Sequence, residues 1–431
     1  MEYPHNDSSP CSKSEVDLFS IPHTQIAVQD TQTLVVTPIN TVSGVTNTPI
    51  ELLIPGSSEY FLDLSTTALY LKIRITRPDG SALPAAYPIA PANNFLHTFF
   101  NQVEVCVNGK KLSSSACNYA YRTYLEKHLN YSVTSKRTHQ SCNGYFSESE
   151  RSAVLAAAHA NDNKVFEYYG RIHADFFLQD RLLLNSCDVR IKLTRSPSSF
   201  HLIRDATLPD GMHAIDAIAV IEECEMYVRS VRLTNHLYLS IERSLASTNA
   251  KYPIRRVETR AHTIPSQITY KAINNVVTGT LPQKVIIGLL EHTAEQGNYT
   301  RPCFKFEHFD LENVSLWING QPLAKPYEVN FNTGNYLRPY SDLYTTNGFL
   351  GSHSNGITLD EYSSTSTLFS FDTSIDQSSN GSGHVNPVRK GEITIKFKFR
   401  RALQRPITLL VYMEYFDVIE ISKSRTVMYE V

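Results

Sequence analysis

Catalysis needs a few acid, base or nucleophilic side chains at a fixed spacing, and this chain offers two places to look for them. His173-Ala174-Asp175, with Asp180 nearby, has the residue types of a metal site or an acid–base pair. On a strand, positions two apart share a face, so His173 and Asp175 can simply bond to each other, and that structural reading is preferred. Glu222-Glu223-Cys224-Glu225 could form a paired-carboxylate centre. It reads better as a strand with one acidic face. The sequence contains no G-x-S-x-G, H-E-x-x-H, Walker A or G-x-G-x-x-G. No catalytic, cofactor-binding or metal-ligating residue is therefore assigned, and the chain is not expected to be an enzyme.

Binding chemistry has one candidate. Lys396, Lys398 and Arg400 alternate along a segment and are followed by Arg401 and Arg405, the strongest cluster of positive charge. Such a face can be solvated, can meet another subunit, or can touch nucleic acid. Single-strand binding would want aromatic rings beside those cations. Phe397 and Phe399 point the opposite way and are expected in a core. Trp317, the single tryptophan, falls on the face opposite Val314, Leu316 and Ile318, which favours an interface over the core.

The cysteines are Cys11, Cys106, Cys117, Cys142, Cys187, Cys224 and Cys303. Their odd count and lack of any C-x-x-C fit reduced thiols in an intracellular protein rather than a disulfide framework or a zinc site. The first residues lack the basic and apolar regions of a secretory signal, so the sequons at Asn6, Asn130, Asn298, Asn313 and Asn380 read as chance matches. No apolar run approaches the ~20 residues of a membrane span.

The elements that carry these residues are mostly strands. In 431 residues, 24 Tyr and 20 Phe stand against 5 Met, a balance that leans toward β structure. Forty Lys and Arg against forty-two Asp and Glu leave a net charge of −2, which excludes a general nucleic-acid binder and makes any such contact local. Period-two alternation is clearest from Glu392 to Arg400, with Ile393, Ile395, Phe397 and Phe399 on one side. It recurs at Leu71–Ile75, Val103–Val107 and Val189–Leu193. A helix is expected over Tyr119–Asn130, with Tyr121, Tyr124, Leu125 and Leu129 near one face. Another is expected to begin at Ser147, with Glu150 completing a capping box, and to run to Ala160. Residues 1–27 read as a flexible arm. The polar segment Asp376–Asn386 and a longer stretch from about Leu343 to Tyr362 read as surface connections.

The chain also repeats itself. Val103-Glu-Val-Cys-Val-Asn-Gly-Lys-Lys-Leu112 has a counterpart in Val314-Ser-Leu-Trp-Ile-Asn-Gly-Gln-Pro-Leu323, 211 residues later, and both run into an Asn-Gly hairpin signal. Val189–Leu193 matches Ile393–Phe397 at an offset of 204. The shared order implies two copies of one β domain, each the size of an eight-stranded jelly roll with some long connections. The expected organisation is all-β: an arm over 1–27, a first jelly roll over 28–235 and a second over 236–431, with short helices in connecting loops.

The run Phe166-Glu-Tyr-Tyr-Gly-Arg-Ile-His-Ala-Asp-Phe-Phe-Leu-Gln-Asp-Arg-Leu-Leu-Leu184 resembles a signature of the major capsid proteins of Polinton (Maverick) elements and adintoviruses. The resemblance extends from Leu18–Thr24 through Tyr60–Leu64, Asn94–Val105 and Tyr119–Leu125. It continues through Tyr252–Val257, Leu281–Val285, Phe304–Phe309, Leu368–Asp372 and Val411–Ile421. Tyr362-Ser-Ser-Thr-Ser-Thr367 departs from it by lacking a glycine before the Leu-Phe-x-Phe-Asp strand. The resemblance implies a double jelly roll, a homotrimer with a pseudo-hexagonal outline, and neighbouring capsomers tiling an icosahedral shell around double-stranded DNA. It also implies a smaller penton-like partner protein, weak contact with packaged DNA, no cofactor, and a place in the virion after assembly in the host nucleus or cytoplasm. A jelly-roll module that recognises carbohydrate or protein is the alternative.

Overall fold

The computed structural model describes residues 5, 7–8, 11, 13–40, 48–84, 87–112, 118–161, 163–205, 208, 213–349, 354–381 and 384–429. Cys117 and parts of the expected arm and of both polar connections lie outside them. Eight principal strands come from the first half of the chain: β1 (Val28–Val36), β2 (Ile50–Ile54), β3 (Tyr60–Thr76), β4 (Phe100–Val107), β5 (Lys110–Lys111), β6 (Val165–Arg171), β7 (Val189–Arg195) and β8 (Ile218–Leu233). Eight more follow: β9 (Ala250–Ile264), β10 (Tyr270–Thr280), β11 (Lys284–Glu291), β12 (Leu311–Ile318), β13 (Gln321–Pro322), β14 (Leu368–Asp372), β15 (Lys390–Phe399) and β16 (Ile407–Ile421). The first half forms sheets ordered β1-β8-β3-β6 and β2-β7-β4-β5, and the second forms β9-β16-β11-β14 and β10-β15-β12-β13. Adding eight to each strand of the first pair of sheets yields the second pair.

The duplication holds at the level of single residues. In the first half Val105 lies opposite Ile191, and in the second Leu316 lies opposite Ile395, so the two sequence offsets carry one cross-strand pair onto the other. Both Asn-Gly turns have the positive φ that type I′ requires: 47° and 79° at Asn108 and Gly109, 50° and 77° at Asn319 and Gly320. Each asparagine then spans to the neighbouring strand. Asn108 Oδ1 accepts the Asp188 N–H at 2.8 Å, and Asn319 Oδ1 accepts the Glu392 N–H at 2.9 Å.

Alternation places the cores. Ile393, Ile395, Phe397 and Phe399 of β15 are buried with Val314, Leu316, Ile287 and Val411 between the second pair of sheets. Leu71, Ile73, Val105, Ile191 and Leu193 fill the first. Because β11 is covered on both faces, its Lys284–Leu290 run is buried throughout and reads as continuous rather than alternating.

Among the described residues, five helices of six residues or more sit in the connections: α1 (Tyr119–Asn130), α2 (Arg151–His159), α3 (Asn235–Leu245) between the halves, α4 (Leu337–Thr346) and α5 (Leu359–Ser364). The first two follow the sequence expectation, and Ser147 and Glu150 make the capping box ahead of α2. The last two correct it, because the stretch read as a plain surface connection is helical at both ends. Thr358 caps α5 with Glu361 as its capping-box partner, and Tyr362 is driven into a cluster with Phe331, Tyr336 and Tyr340. The Asp376–Asn386 connection joins β14 to β15 as expected and is tied by polar bonds, with Asp376 accepting from Ser378 and His384. In the described part of the arm, Leu18, Phe19, Ile21 and Ile26 are exposed.

Candidate functional site

The residues expected to bond to each other across one strand face do neither. His173 and Asp175 lie beyond the end of β6, where Asp175 opens a 3-10 turn, and both are buried. Each turns to α1 instead. His173 Nδ1 lies 2.6 Å from Glu126 Oε2, and Asp175 Oδ1 lies 2.7 Å from the Arg122 guanidinium, which also donates from Nε to Glu126 Oε1 at 2.9 Å. Asp175 Oδ1 further accepts the Val257 N–H of β9 at 3.2 Å. The cluster thus joins a loop of the first half, a helix of the first half and the edge strand of the second. Asp180 is exposed and outside it.

Helix α1 can carry this cluster because it runs between β4 and β9 and is buried on every side, not only along its aromatic stripe. Its aromatic face packs Tyr124 flat on Phe304 at 4.2 Å, while Tyr121 and Leu125 join Val257, Ile286, Leu290, Leu410 and Tyr412 on the outer side of β9-β16-β11-β14. Its polar face is then buried as well and must be paired. Burial raises the Glu126 pKa, but Arg122 and His173 outweigh it and hold the carboxyl below its ordinary range. Burial keeps His173 below the usual histidine value despite Glu126, and raises Asp175 despite Arg122.

A second polar set lies at the C-terminal end of α1. His128 sits between the Tyr145 hydroxyl and the Ser366 hydroxyl, each 3.1 Å from a ring nitrogen. The Lys136 ammonium donates to the carbonyls of His128 and Asn355, the latter at 2.8 Å. Burial brings Lys136 down to about 7, and burial followed by the Lys136 charge keeps His128 well below its ordinary value. Ser366 and Asn355 belong to the second half, so this set also spans the seam. Beside the Arg122 cluster a cleft of about 770 Å³ opens between His173, Arg181, Ile254, Ser379, Tyr412 and Glu414. Glu414, which lines it, is reached by Lys284 at 3.2 Å, and Lys284 also donates to Asn380 at 3.0 Å.

These groups are arranged to neutralise one another, with each charge held by an opposite charge or a carbonyl. Among the described residues no three of His, Cys, Asp and Glu converge to hold a metal ion, and no helix is long and apolar enough to cross a membrane. The six described cysteines are unpaired thiols. Glu222 and Glu223 face outward together because a bulge in β8 interrupts the alternation, and they pair with Arg74 and Lys72 at 2.5 and 3.2 Å.

The basic strand keeps its expected orientation but not a free charge surface. Lys396 Nζ lies 3.4 Å from the centre of the Trp317 ring, on the outer face of β10-β15-β12-β13. Lys398 pairs with Glu312 at 3.0 Å, Arg400 donates to the Val329 carbonyl at 2.8 Å, and Arg405 reaches Glu291 and Glu307 at 3.2 and 3.3 Å. Arg401 is exposed. The alternation had placed these side chains on one face, but it could not show which acids share that face.

Gly170, inside the Phe166–Leu184 run, is required by contact: a Cβ there would fall 1.5 Å from the Asn143 side chain. No family model matches the chain. The uncharacterized protein F54H12.2 of Caenorhabditis elegans is 23% identical over 423 residues, covering 94% of this chain and 98% of that protein. Among solved structures, the Sputnik virophage aligns with a TM-score of 0.62 at 10% identity over 99% of this chain and 93% of that one. The PBCV-1 virus capsid gives 0.61 at 10% identity over 96% and 100%, and the mavirus major capsid protein 0.54 at 10% identity over 100% and 97%. The fold is a double jelly roll. Within this double jelly roll the Arg122 and His128 clusters are buried polar fastenings between barrels. Apart from His173 and Asp175, their members were not singled out in the sequence, although Arg122 and Glu126 stand four apart on the expected helix, the spacing at which opposite charges meet.

Proposed function

We propose that the chain is the major structural subunit of an icosahedral shell, with jelly rolls over 28–235 and 236–431 and an arm over 1–27, and that it is not an enzyme. Three copies place six similar barrels in a ring, so one gene product presents a pseudo-hexagonal tile to its neighbours. The duplicated strand order carries this reading, together with nearly full-length alignment to structures of the PBCV-1 virus capsid, the Sputnik virophage and the mavirus major capsid protein. The finer attribution, to the shells of Polinton elements and adintoviruses around double-stranded DNA, rests on the sequence resemblance, as does the smaller penton-like partner. The virion is then its destination. DNA contact, if made by the Lys396 strand, is weak, because most of its cations are already paired.

Light scattering with negative-stain microscopy tests the reading. The expected particle is a trimer with a six-cornered outline. A chain that stays monomeric across salt, pH and concentration overturns it.

A further inference from the structure

Within the chain, one barrel grips the next through a defined pair of surfaces. The connection between β6 and β7 of the first half lies along β9, the edge strand of the second. Asp175 accepts the Val257 N–H, Arg181 donates to the Lys251 carbonyl, and the Tyr252 hydroxyl bridges the Leu182 carbonyl at 3.1 Å and the Leu184 N–H at 3.2 Å. The Phe176 ring meets Tyr252 edge-on at 5.4 Å. Asn118, ahead of α1, donates to the Thr259 carbonyl. An edge strand that would otherwise offer bare backbone groups is thereby covered, and Tyr252, Ile254, Val257 and Thr259 are buried.

The duplicated topology supplies each of these surfaces a second time, and although Ser379 and Val385 line the cleft of their own chain, neither surface is covered as its counterpart is. The connection between β14 and β15 corresponds to the one between β6 and β7, and it exposes three aliphatic side chains: Ile375 at 58%, Val385 at 53% and Val388 at 71%. Strand β1 holds the edge position that β9 holds in the second half. It leaves five consecutive residues, Gln29–Thr33, exposed, with Val35 uncovered at 55%. On β9 the corresponding edge is packed. One chain thus carries a spare gripping loop on its second barrel and a spare edge strand on its first.

We infer that the Ile375, Val385 and Val388 face of one copy docks along β1 of a second copy, repeating between chains the grip that the β6–β7 connection exerts on β9 within a chain. The two surfaces differ, so the contact is head-to-tail and closes only as a ring. The inference rests on the shell-subunit reading and adds to it the location of the seam between subunits.

Sedimentation of Ile375→Asp/Val388→Asp, of Val35→Asp, and of Leu239→Asp on α3 as a control tests it against the unmodified full chain. All four target side chains are exposed, so the variants are expected to match the parent in circular dichroism and melting. Each of the first two should weaken self-association at least about 30-fold, the effect of one interface hot spot, and the control should not. Amide exchange on the unmodified chain supplies a readout independent of any variant: protection of residues 29–35 and 385–389 should rise together with protein concentration. An unmodified trimer whose assembly ignores both variants, or whose protection rises elsewhere, overturns this seam and leaves the trimer standing. An unmodified chain that never associates overturns the shell reading itself.

Discussion

Arg122→Met tests whether the buried ion cluster couples the two barrels. Arg122 is the cation that meets both Asp175 and Glu126, and all three side chains are nine-tenths buried or more. Removing one partner of such a group leaves uncompensated charge in a medium that solvates it poorly, at a cost of about 3–5 kcal/mol. An exposed pair would cost less than about 1 kcal/mol. Trp317, the single tryptophan, lies in the second barrel while Arg122 lies in the first, so urea unfolding followed by tryptophan fluorescence reads the consequence across the seam.

The expected result at pH 7 is a loss of about 3–5 kcal/mol in the Trp317 transition, with part recovered in Arg122→Met/Asp175→Asn, which removes the stranded charge but keeps an acceptor for the Val257 N–H. The pH dependence has a definite sign. Burial already raises the Asp175 pKa in the folded chain, and loss of Arg122 raises it further. The folded state then binds a proton that the unfolded state releases, so the deficit shrinks as pH falls toward and below the folded value. A Trp317 transition that moves by less than about 1 kcal/mol, or a deficit that grows on acidification, refutes the coupling.

Substituting Asp for Phe397 and Phe399, whose stacked rings lie in the second core, should abolish soluble expression, because each change buries an unpaired charge; Lys396→Glu/Lys398→Glu on the other face should leave solubility and melting intact, and the reverse result would mean the faces are exchanged. His128 is held neutral in the fold by burial and by Lys136, so it weakens the protein as pH falls below the unfolded histidine value of about 6.5; His128→Gln, which can still bond Tyr145 and Ser366, should flatten the fall in stability between pH 7 and 5 by up to one proton, measured by urea titration at each pH. Arg425→Ala removes bonds to Asn185 and Glu242 that fasten the segment after β16 to the first barrel and α3; a loss of about 2–3 kcal/mol and faster proteolysis near the C-terminus are expected, and unchanged cleavage would count against that fastening.

The legible part of the fold was local in origin. Alternation from Ile393 to Phe399, the paired Asn-Gly turns and the bounds of α1 follow from backbone geometry and side-chain period alone, and the structure places them as read. What escaped depended on tertiary neighbours. One apolar stripe on α1 implied one buried face, whereas that stripe packs on the second barrel and the opposite face is buried too, with Arg122, Glu126 and Lys127 paired to Asp175, His173 and Asn94 of the first half. His173 and Asp175 share a spacing but not a strand, because the chain leaves the sheet at Arg171 and delivers them to α1. The α5 helix carried a readable Thr358–Glu361 capping signal, overlooked amid polar residues that resemble a loop.

The two barrels share topology but treat the same sheet face in opposite ways, and this difference bears on assembly. In the second barrel the outer side of β9-β16-β11-β14 presents Ile286, Leu290, Leu410 and Tyr412, all buried under α1 and its neighbours. In the first, the outer side of β1-β8-β3-β6 presents Tyr70, Lys72, Arg74, Glu167, Tyr169 and Glu223, in cross-strand rows such as Glu223 to Lys72 to Glu167. A face covered once and for all by its own chain can be apolar, since it is never exposed after folding. A face that awaits another chain must keep the free subunit soluble, and a large apolar patch there would invite indiscriminate association. Charge rows with a few tyrosines satisfy both demands, because they are tolerated by water and can still be matched by a partner of complementary pattern. In a ring of three such chains, three of the six barrel contacts would be made during folding and three during assembly. The divergence between the copies is what that division, in the proposed trimer, predicts.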